Sequence, residues 1–441
     1  MNLKKNILEN LILPLGDIIL GSNFISKLKQ WRKILSKNHS ELDRIQLEKL
    51  HALLVHATTN SPYYRLQNIE RKSDPIAWLK SFPVLSKRSF RDSLEFIVTK
   101  PIDKNLVVVM SSGSTGPPSK VYFDKNELSN NRALQVIWWE WAGYSFGNSL
   151  LQTGVNMNRT FEKSIKDKLL NTRYIDAISH EESQILSELK LLQKQEKDHF
   201  VAYASSLFLF AKTALEHNIK DVKFKSVISI GEKLLPQFRE SIEKAFSCQV
   251  FDTYGASEGF LIASQCTEGK YHIMTPHVFV EILNDFDQEV KEGEMGRVVL
   301  TGLDNFTTPL IRYEVGDLAV KGSSEKCACG LELPVLGEII GRQTEFLLTN
   351  SGKYITVQSV VRIMKQFSEI DQFKVIQSDQ NQFLLQYVSP KNKLDVQEAG
   401  ILQAFEKVFG QEMNFTFEKV ASMPKAKSGK FQLIENNYKP I

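Results

Sequence analysis

Six consecutive small or hydroxylated residues, Ser111, Ser112, Gly113, Ser114, Thr115 and Gly116, follow an apolar, β-branched run from Leu106 to Met110. A strand that runs into such a turn aims several backbone N–H groups and hydroxyls at one point, which suits phosphate oxygens. The glycines let the backbone come close. The loop lacks the G-x-x-x-x-G-K-[ST] spacing of a P-loop. A surface linker uses the same residues, so the stretch alone leaves both readings open.

Four distant stretches could complete a site. "FDTYGASEGF" combines an aromatic ring, Tyr254, with small residues, Gly255, Ala256 and Ser257, and a carboxylate, Glu258. "PLIRYEVGDLAV" carries Asp317 just after a glycine, with Arg312 upstream; "EIIGRQTE" carries Arg342; "MPKAKSGKFQ" carries Lys430 after a glycine. Each also has an ordinary reading as a turn, a hairpin or a solvated cation. A second set consists of Cys266 and His272 with Cys327 and Cys329, in the turns "QCTEGKYH" and "SSEKCACGLELP". Three thiolates and an imidazole are a ligand set for tetrahedral Zn²⁺, here expected to be closed and structural. The alternative is three unrelated reduced thiols and a surface histidine, and C-x-C is a less usual zinc spacing than C-x-x-C. Cys248 is left over and is expected in a core.

These residues must be positioned by a chain of 441 residues, long enough for two or three domains or one large and one smaller domain. Hydrophobic residues make up 42%, and 55 basic residues interspersed with 51 acidic ones leave no nucleic-acid footprint. Four cysteines are no disulfide framework, and a cytoplasmic location is expected. No apolar run reaches the roughly 20 residues of a membrane span. The start, "MNLKKNILENLILPLGDIILGS", reads as an amphipathic segment packed on the body, with docking to a membrane or partner as the lesser option. Residues up to about 100 show helical spacing, such as Leu47, Leu50 and Leu54, with a stop at Asn60-Ser61-Pro62. Strands then alternate with helices, as in an α/β sheet. After about Val250 the texture becomes strands and hairpins. "GRQTEFLLTNSGKYITVQSVVRIM" reads as a hairpin feeding a helix, and the remainder as a small α+β unit. The fold expected is α/β: a large N-terminal domain with mixed sheets, helices and a β-rich subregion, plus a small mobile α+β C-terminal domain. The boundary falls near Arg342 to Thr344, giving domains 1–343 and 344–441.

In this order and at about these spacings, "SSGSTG", "SIGE", "TYGASE", "LTGLDNFTTPLIRYEVGD", "GR" and the terminal "SGK" resemble the adenylate-forming superfamily of acyl-CoA synthetases, luciferases and peptide-synthetase adenylation domains. "HATTNSPYYR" is similar to the subgroup of phenylacetate-CoA ligases and their relatives in capsule biosynthesis, some of which resemble the Cys/His pattern as well. The resemblance spans about residues 50–435. It implies ATP-dependent, AMP-forming activation of a carboxylic acid through an acyl-adenylate, with coenzyme A as the usual acceptor. By resemblance, Ser111 to Gly116 wrap the β- and γ-phosphates and Glu258 holds Mg²⁺. Tyr254, Gly231 and Glu232 line the adenine site, with Gly255, Ala256 and Ser257 in the same nucleotide-binding stretch. Asp317 accepts the ribose hydroxyls, Arg342 contacts the nucleotide beside the hinge, and Lys430 reaches the α-phosphate and the substrate carboxylate.

The chain departs from that pattern in three places. Pro117 and Pro118 intervene before Lys120, Thr344 stands where an acidic hinge residue is common, and no arginine follows Lys430 in "SGKFQLIENN". These departures bear on thioester formation more than on adenylation. Three functions compete: an acid–CoA ligase; an enzyme passing its acyl group to an amine, hydroxyl or carrier thiol, as in polysaccharide decoration; and a non-catalytic relative that binds nucleotide or scaffolds a complex. Glu258 and Lys430 together argue against the third. The acid is not legible. Trp138 to Tyr144 and Tyr203 to Phe210 read equally as walls of an apolar pocket or as core, and a homodimer is left open.

Overall fold

The computed structural model describes residues 3–110, 119–154, 161–176, 182–342, 346–348, 354–356, 360, 363–364, 366–367, 369–389, 397–409, 414–423 and 433–438. The chain forms two compact units, the larger built from most residues before Ile339 and the smaller taking Gly316–Leu318 and the chain from Ile339 onward. Ser111 to Gly116, Thr344 and Lys430 lie outside the described residues.

The larger unit opens with helices, as the spacing predicts. Residues 3–20 run as Leu3–Ile7, a π-helical stretch Leu8–Ile12, and Leu13–Leu20, closed by Gly21 at φ +60°. The long helix His39–Asn60 starts on an Asn38 cap, whose side chain accepts from the Glu41 N–H. It ends at Ser61, where Pro62 starts the next helix.

An eight-stranded sheet follows. Five strands are parallel, in the order Thr172–Asp176, Leu150–Gly154, His199–Tyr203, Ser226–Ile230, Val250–Ala256. Three antiparallel strands, Phe260–Gln265, Tyr271–Ile273 and Val335–Leu336, complete it. The first four residues of both His199–Tyr203 and Ser226–Ile230 are buried without alternation, as expected where helices cover both faces of a parallel sheet. "FVAYASSLFLF", one apolar run in the sequence, divides here. It is strand to Tyr203 and helix from Ala204 to Glu216. Phe200, Leu207, Phe210, Val227, Ile242 and Phe246 form the core between this sheet and its helices. The β-rich texture after Val250 resolves into this antiparallel extension and a second sheet containing Val278–Leu283, Met295–Gly302 and Tyr313–Val320.

In the smaller unit, Phe346–Leu348 and Tyr354–Thr356 pair as the expected hairpin. A four-stranded sheet, ordered Asn414–Lys419, Gln382–Val388, Gln372–Asp379, Ile434–Asn436, packs through Val375, Leu385 and Ile434 on Ile401 and Phe405 of the helix Glu398–Phe409. The mixed α/β architecture with a small α+β unit is therefore observed.

Candidate active site and metal centre

In an open parallel sheet, ligands sit beyond the carboxyl ends of the strands, where each strand hands over to its helix. Three adjacent strands end in residues singled out by sequence. Tyr203 ends one and leads into Ala204–Glu216. Gly231 and Glu232 follow the strand Ser226–Ile230. Tyr254, Gly255 and Ala256 end the strand Val250–Ala256, with Ser257 and Glu258 just beyond. The Glu232 carboxylate accepts from the Ser205 N–H at 2.9 Å, tying two of these ends together. Gly231 sits at φ +68°, and a Cβ there would lie 2.7 Å from the Tyr203 ring. A side chain at this position is thus both strained and blocked. Sequence reasoning missed Ser205 and the Tyr203–Gly231 contact, because both are contacts across strands.

Glu258 is buried, with 6% of its surface exposed. Its Oε1 accepts from the Tyr313 hydroxyl at 2.8 Å. Tyr313 is fully buried, stacked on Phe260 and edge-on to Phe90. Burying a carboxylate costs several kcal/mol unless it is hydrogen-bonded or faces a cation. The Tyr313 hydroxyl is a neutral donor, which orients the group without supplying a positive charge. The turn around it is tightly specified. The register slips between Tyr254 and Gly255, a Cβ on Gly255 would meet the Phe260 carbonyl at 2.8 Å, and Gly259, at φ +92°, lies under the Phe123 ring.

Asp317 lies on Tyr313–Val320, the strand that carries Tyr313, and Arg342 ends the strand Ile339–Arg342. Arg312 is a structural residue. It is buried at φ +48°, pairs with Glu281 (Nη2 to Oε1 3.1 Å), and donates to the Phe82 carbonyl at 2.8 Å. The serine-rich stretch joins two antiparallel strands, Val107–Met110 and Lys120–Phe123, with Met110 opposite Lys120. That hairpin is fastened at its base. The Thr308 hydroxyl donates to the Tyr122 carbonyl (3.0 Å) and accepts from the Tyr122 N–H (3.1 Å). Glu127, buried in the capping box of the helix Lys125–Trp141, accepts from the Phe306 and Thr307 N–H groups at 2.8 and 2.9 Å. "LDNFTTPL" therefore positions the hairpin; its sequence signal was the buried acid at the third position of a helix.

Of the two candidate pocket walls, Trp138 and Tyr144 pack in the core beneath the N-terminal helices, and Leu207 and Phe210 pack in the sheet core. Those four residues take the core reading. Tyr203 stands at the strand edge instead.

The sulfur and nitrogen atoms of Cys266, His272, Cys327 and Cys329 all lie within 4.8 Å of one another. The Cys266 and Cys327 sulfurs are 3.8 Å apart, and Cys329 Sγ is 3.2 Å from His272 Nε2. Two thiolates about 2.3 Å from a tetrahedral ion stand about 3.8 Å apart, whereas a disulfide would bring the sulfurs to about 2.05 Å. His272 is fully buried, and its Nδ1–H donates to the Leu333 carbonyl at 2.8 Å, which leaves the Nε2 lone pair facing the sulfurs. Burial lowers the imidazole pKa, so the ring is held neutral, as a ligand must be. Two turns present the thiols: Gly269 donates to the Cys266 carbonyl and Gly330 to the Cys327 carbonyl, both glycines at positive φ. The residues present fit a closed zinc site. Tyr271, beside His272, donates to the buried Asp252 carboxylate on the strand Val250–Ala256. Burial pushes the Asp252 carboxyl up to about 6, although Tyr271 and Arg239 act to lower it. Cys248 packs against the sheet core, where burial pushes its thiol up to about 12.

The chain is similar to known proteins in sequence and in fold. Residues 347–437 match the family described as the CapK C-terminal domain. Protein CapK of Staphylococcus aureus is 24% identical over 98% of this chain and 98% of its own length. A phenylacetate-coenzyme A ligase of Pseudomonas putida is 25% identical over 74% of this chain and 76% of its own. A 2-hydroxyisobutyryl-CoA ligase in its postadenylation state, with an acyl-AMP bound, superimposes with a TM-score of 0.72 at 17% identity, over 92% of this chain and 91% of that one. The fold is that of the adenylate-forming ligases. In sequence the chain is similar to CapK and the phenylacetate-CoA ligases.

Proposed function

We propose that this protein activates a carboxylic acid with ATP and passes the acyl group to coenzyme A. In the first step a carboxylate oxygen attacks the α-phosphorus. The bond to the bridging oxygen of the β-phosphate breaks, and pyrophosphate leaves. In the second, a thiol sulfur attacks the acyl carbonyl, AMP leaves, and the thiol proton passes to water. The phosphoryl step asks the protein for alignment and charge neutralisation rather than covalent chemistry.

One observation carries this reading. The Tyr254–Glu258 stretch, Gly231 and Glu232 lie at the carboxyl ends of neighbouring parallel strands, with a buried carboxylate oriented by a neutral phenol. Glu258 would hold Mg²⁺, which supplies positive charge to the phosphates. Ser111 to Gly116 would take the β- and γ-phosphates, Tyr254 with Gly231 and Glu232 the adenine, and Asp317 the ribose hydroxyls. Arg342 would contact the nucleotide at the break between domains 1–343 and 344–441. Lys430 would neutralise charge as carboxylate and α-phosphate approach. Cys266, His272, Cys327 and Cys329 would hold a structural Zn²⁺ that plays no part in the reaction.

A second reading keeps the adenylation and changes the acceptor. It is favoured by the missing arginine after Lys430 and by Thr344 at the hinge. An amide bond synthetase, McbA of Marinactinospora thermotolerans, also shares the fold, with a TM-score of 0.53 at 13% identity. The test is pyrophosphate release across a panel of carboxylic acids, with and without coenzyme A. Release stimulated by coenzyme A, with an acyl-CoA product, supports the first reading. Release that coenzyme A leaves unchanged, with product formed only on an amine or hydroxyl, supports the second. No release with any acid would overturn both.

A further inference from the structure

The helical run from Leu3 to Leu20 shows two apolar faces where packing on the body requires one. Its inner face is well held. Leu8 is buried with Trp31, Trp138 and Tyr144, while Ile12 and Leu13 pack alongside. Glu9 receives a two-pronged contact from Arg32, at 2.8 and 2.9 Å, and Arg32 also binds Glu140. Asp17 accepts from the Ile25 N–H at 2.8 Å. The rotation of the helix about its axis is therefore fixed by a salt-bridge clamp. The outer face is apolar as well: Leu3, Ile7, Leu11, Leu15, Ile18 and Ile19 are 73, 43, 57, 50, 78 and 81% exposed. Spacings of three and four residues put them on one stripe. The sequence reading, a segment packed on the body, accounts only for the inner face.

Charge beside the stripe is mostly basic; the acid at its Gly21 end, Asp124, is paired with Lys100 at 3.0 Å. The acidic residues among residues 3–37 are Glu9 and Asp17, both turned inward to partners. Lys4 and Lys5 stand at the first turn, Lys4 exposed and Lys5 partly exposed, with the Lys4 ammonium at 3.3 Å from the Gly147 carbonyl and Lys5 at 3.9 Å from Glu9. Lys29 reaches Asn10 in the middle, at 3.3 Å. The ammonium of Lys125 lies beside Gly21, which closes the helix. No helix among the described residues is long and apolar enough to cross a membrane. An apolar stripe about 27 Å long and edged with lysines is what lies in the plane of an anionic lipid surface. A second copy of the chain fits the same stripe poorly. Antiparallel pairing across a two-fold axis would set Lys4 and Lys5 against Lys125, and parallel pairing would set them against themselves.

The geometry points to a peripheral membrane anchor: residues 3–20 lie in the interface of an anionic bilayer, with Leu11, Leu15, Ile18 and Ile19 in the acyl boundary and Lys4, Lys29 and Lys125 on headgroup phosphates. The full chain, floated with vesicles of phosphatidylcholine containing phosphatidylglycerol, should bind at low salt. Binding should weaken as salt rises, and it should be much weaker on phosphatidylcholine alone. Ile18→Glu/Ile19→Glu should lower binding by ~10-fold or more. Because both side chains are exposed, its thermal unfolding and pyrophosphate release without vesicles should match the parent protein. Lys4→Glu should weaken binding on the anionic vesicles only. A parent protein that stays in solution with the anionic vesicles would overturn the inference, as would a double variant that floats as well as the parent. Equal binding to both vesicle types would remove the anionic surface as the occupant. A dimer in sedimentation that Ile18→Glu/Ile19→Glu dissolves, with no vesicle binding, would assign the stripe to a second copy instead.

Discussion

The cysteine cluster and the strand-edge site are built on opposite plans. Every group of the cluster lies within 4.8 Å of the others, three cysteines from turns and His272 from the strand Tyr271–Ile273. Its histidine is locked by a backbone carbonyl, and the ligand count for zinc is complete inside one region of the larger unit. The strand-edge site is distributed. Its described part consists of strand ends and one oriented carboxylate, while the loop and the lysine assigned to it come from residues 111–116 and 430. A structural metal needs a closed set of ligands, because its work is to hold loops together. A site that must admit ATP, release pyrophosphate and then accept a second substrate cannot be closed in one place. Tyr271, bonded to Asp252, shows where the two meet, since that contact joins the strand carrying His272 to the strand Val250–Ala256.

That contrast is open to test, and the largest effect should come from Glu258. Glu258→Gln should cut pyrophosphate release by ~10³-fold or more, as removal of a metal-holding anion implies. Thermal unfolding should be nearly unchanged, because an amide oxygen can still accept from Tyr313. Near-normal turnover in Mg²⁺ would remove Glu258 from the metal. Cys327→Ser should show the reverse pattern. Elemental analysis of protein purified without added metal should find about one zinc per chain in the parent and little in the variant. Denaturant unfolding should lose several kcal/mol of stability, while protein kept cold and folded retains its pyrophosphate release. Parent protein without zinc, and unchanged stability in the variant, would return the cluster to four packed side chains.

Lys430→Ala should slow acyl-adenylate formation by ~10²-fold, comparable to losing one preorganised electrostatic donor. Given preformed acyl-adenylate, it should transfer the acyl group at close to the parent rate; equal damage to both steps would make the lysine structural. The smallest effect belongs to Tyr313→Phe. A hydrogen bond to a charged group is worth about 1.5 to 3 kcal/mol, so loss of orientation at Glu258 should cost ~10-fold in pyrophosphate release. Raising Mg²⁺ should recover part of it, which a purely structural role for the phenol would not allow.

Residue types and chain order made the chemistry legible. "SSGSTG", "TYGASE" and the terminal "SGK" are local strings, and their order along the chain carried the family without any fold. The sequence also offered Cys266, His272, Cys327 and Cys329 as one possible ligand set beside a reading as unrelated side chains, and the structure brings the four together. Alternation of strands and helices gave the α/β layout, because hydrophobic periodicity reports which face each element buries. Packing decided the rest. Only the parallel strand order sets Tyr203 against Gly231 and Ser205 against Glu232, and only the return of a later strand brings Tyr313 to Glu258. Trp138 and Tyr144 could have lined a pocket until the N-terminal helices were placed over them. The same placement left Leu3 to Ile19 with an apolar stripe facing outward, because a helix rich in leucine all around has no outer face until a salt bridge such as Glu9–Arg32 fixes its rotation. Contacts between residues far apart in the chain follow from how elements share one core, and the local pattern of side chains does not encode that sharing.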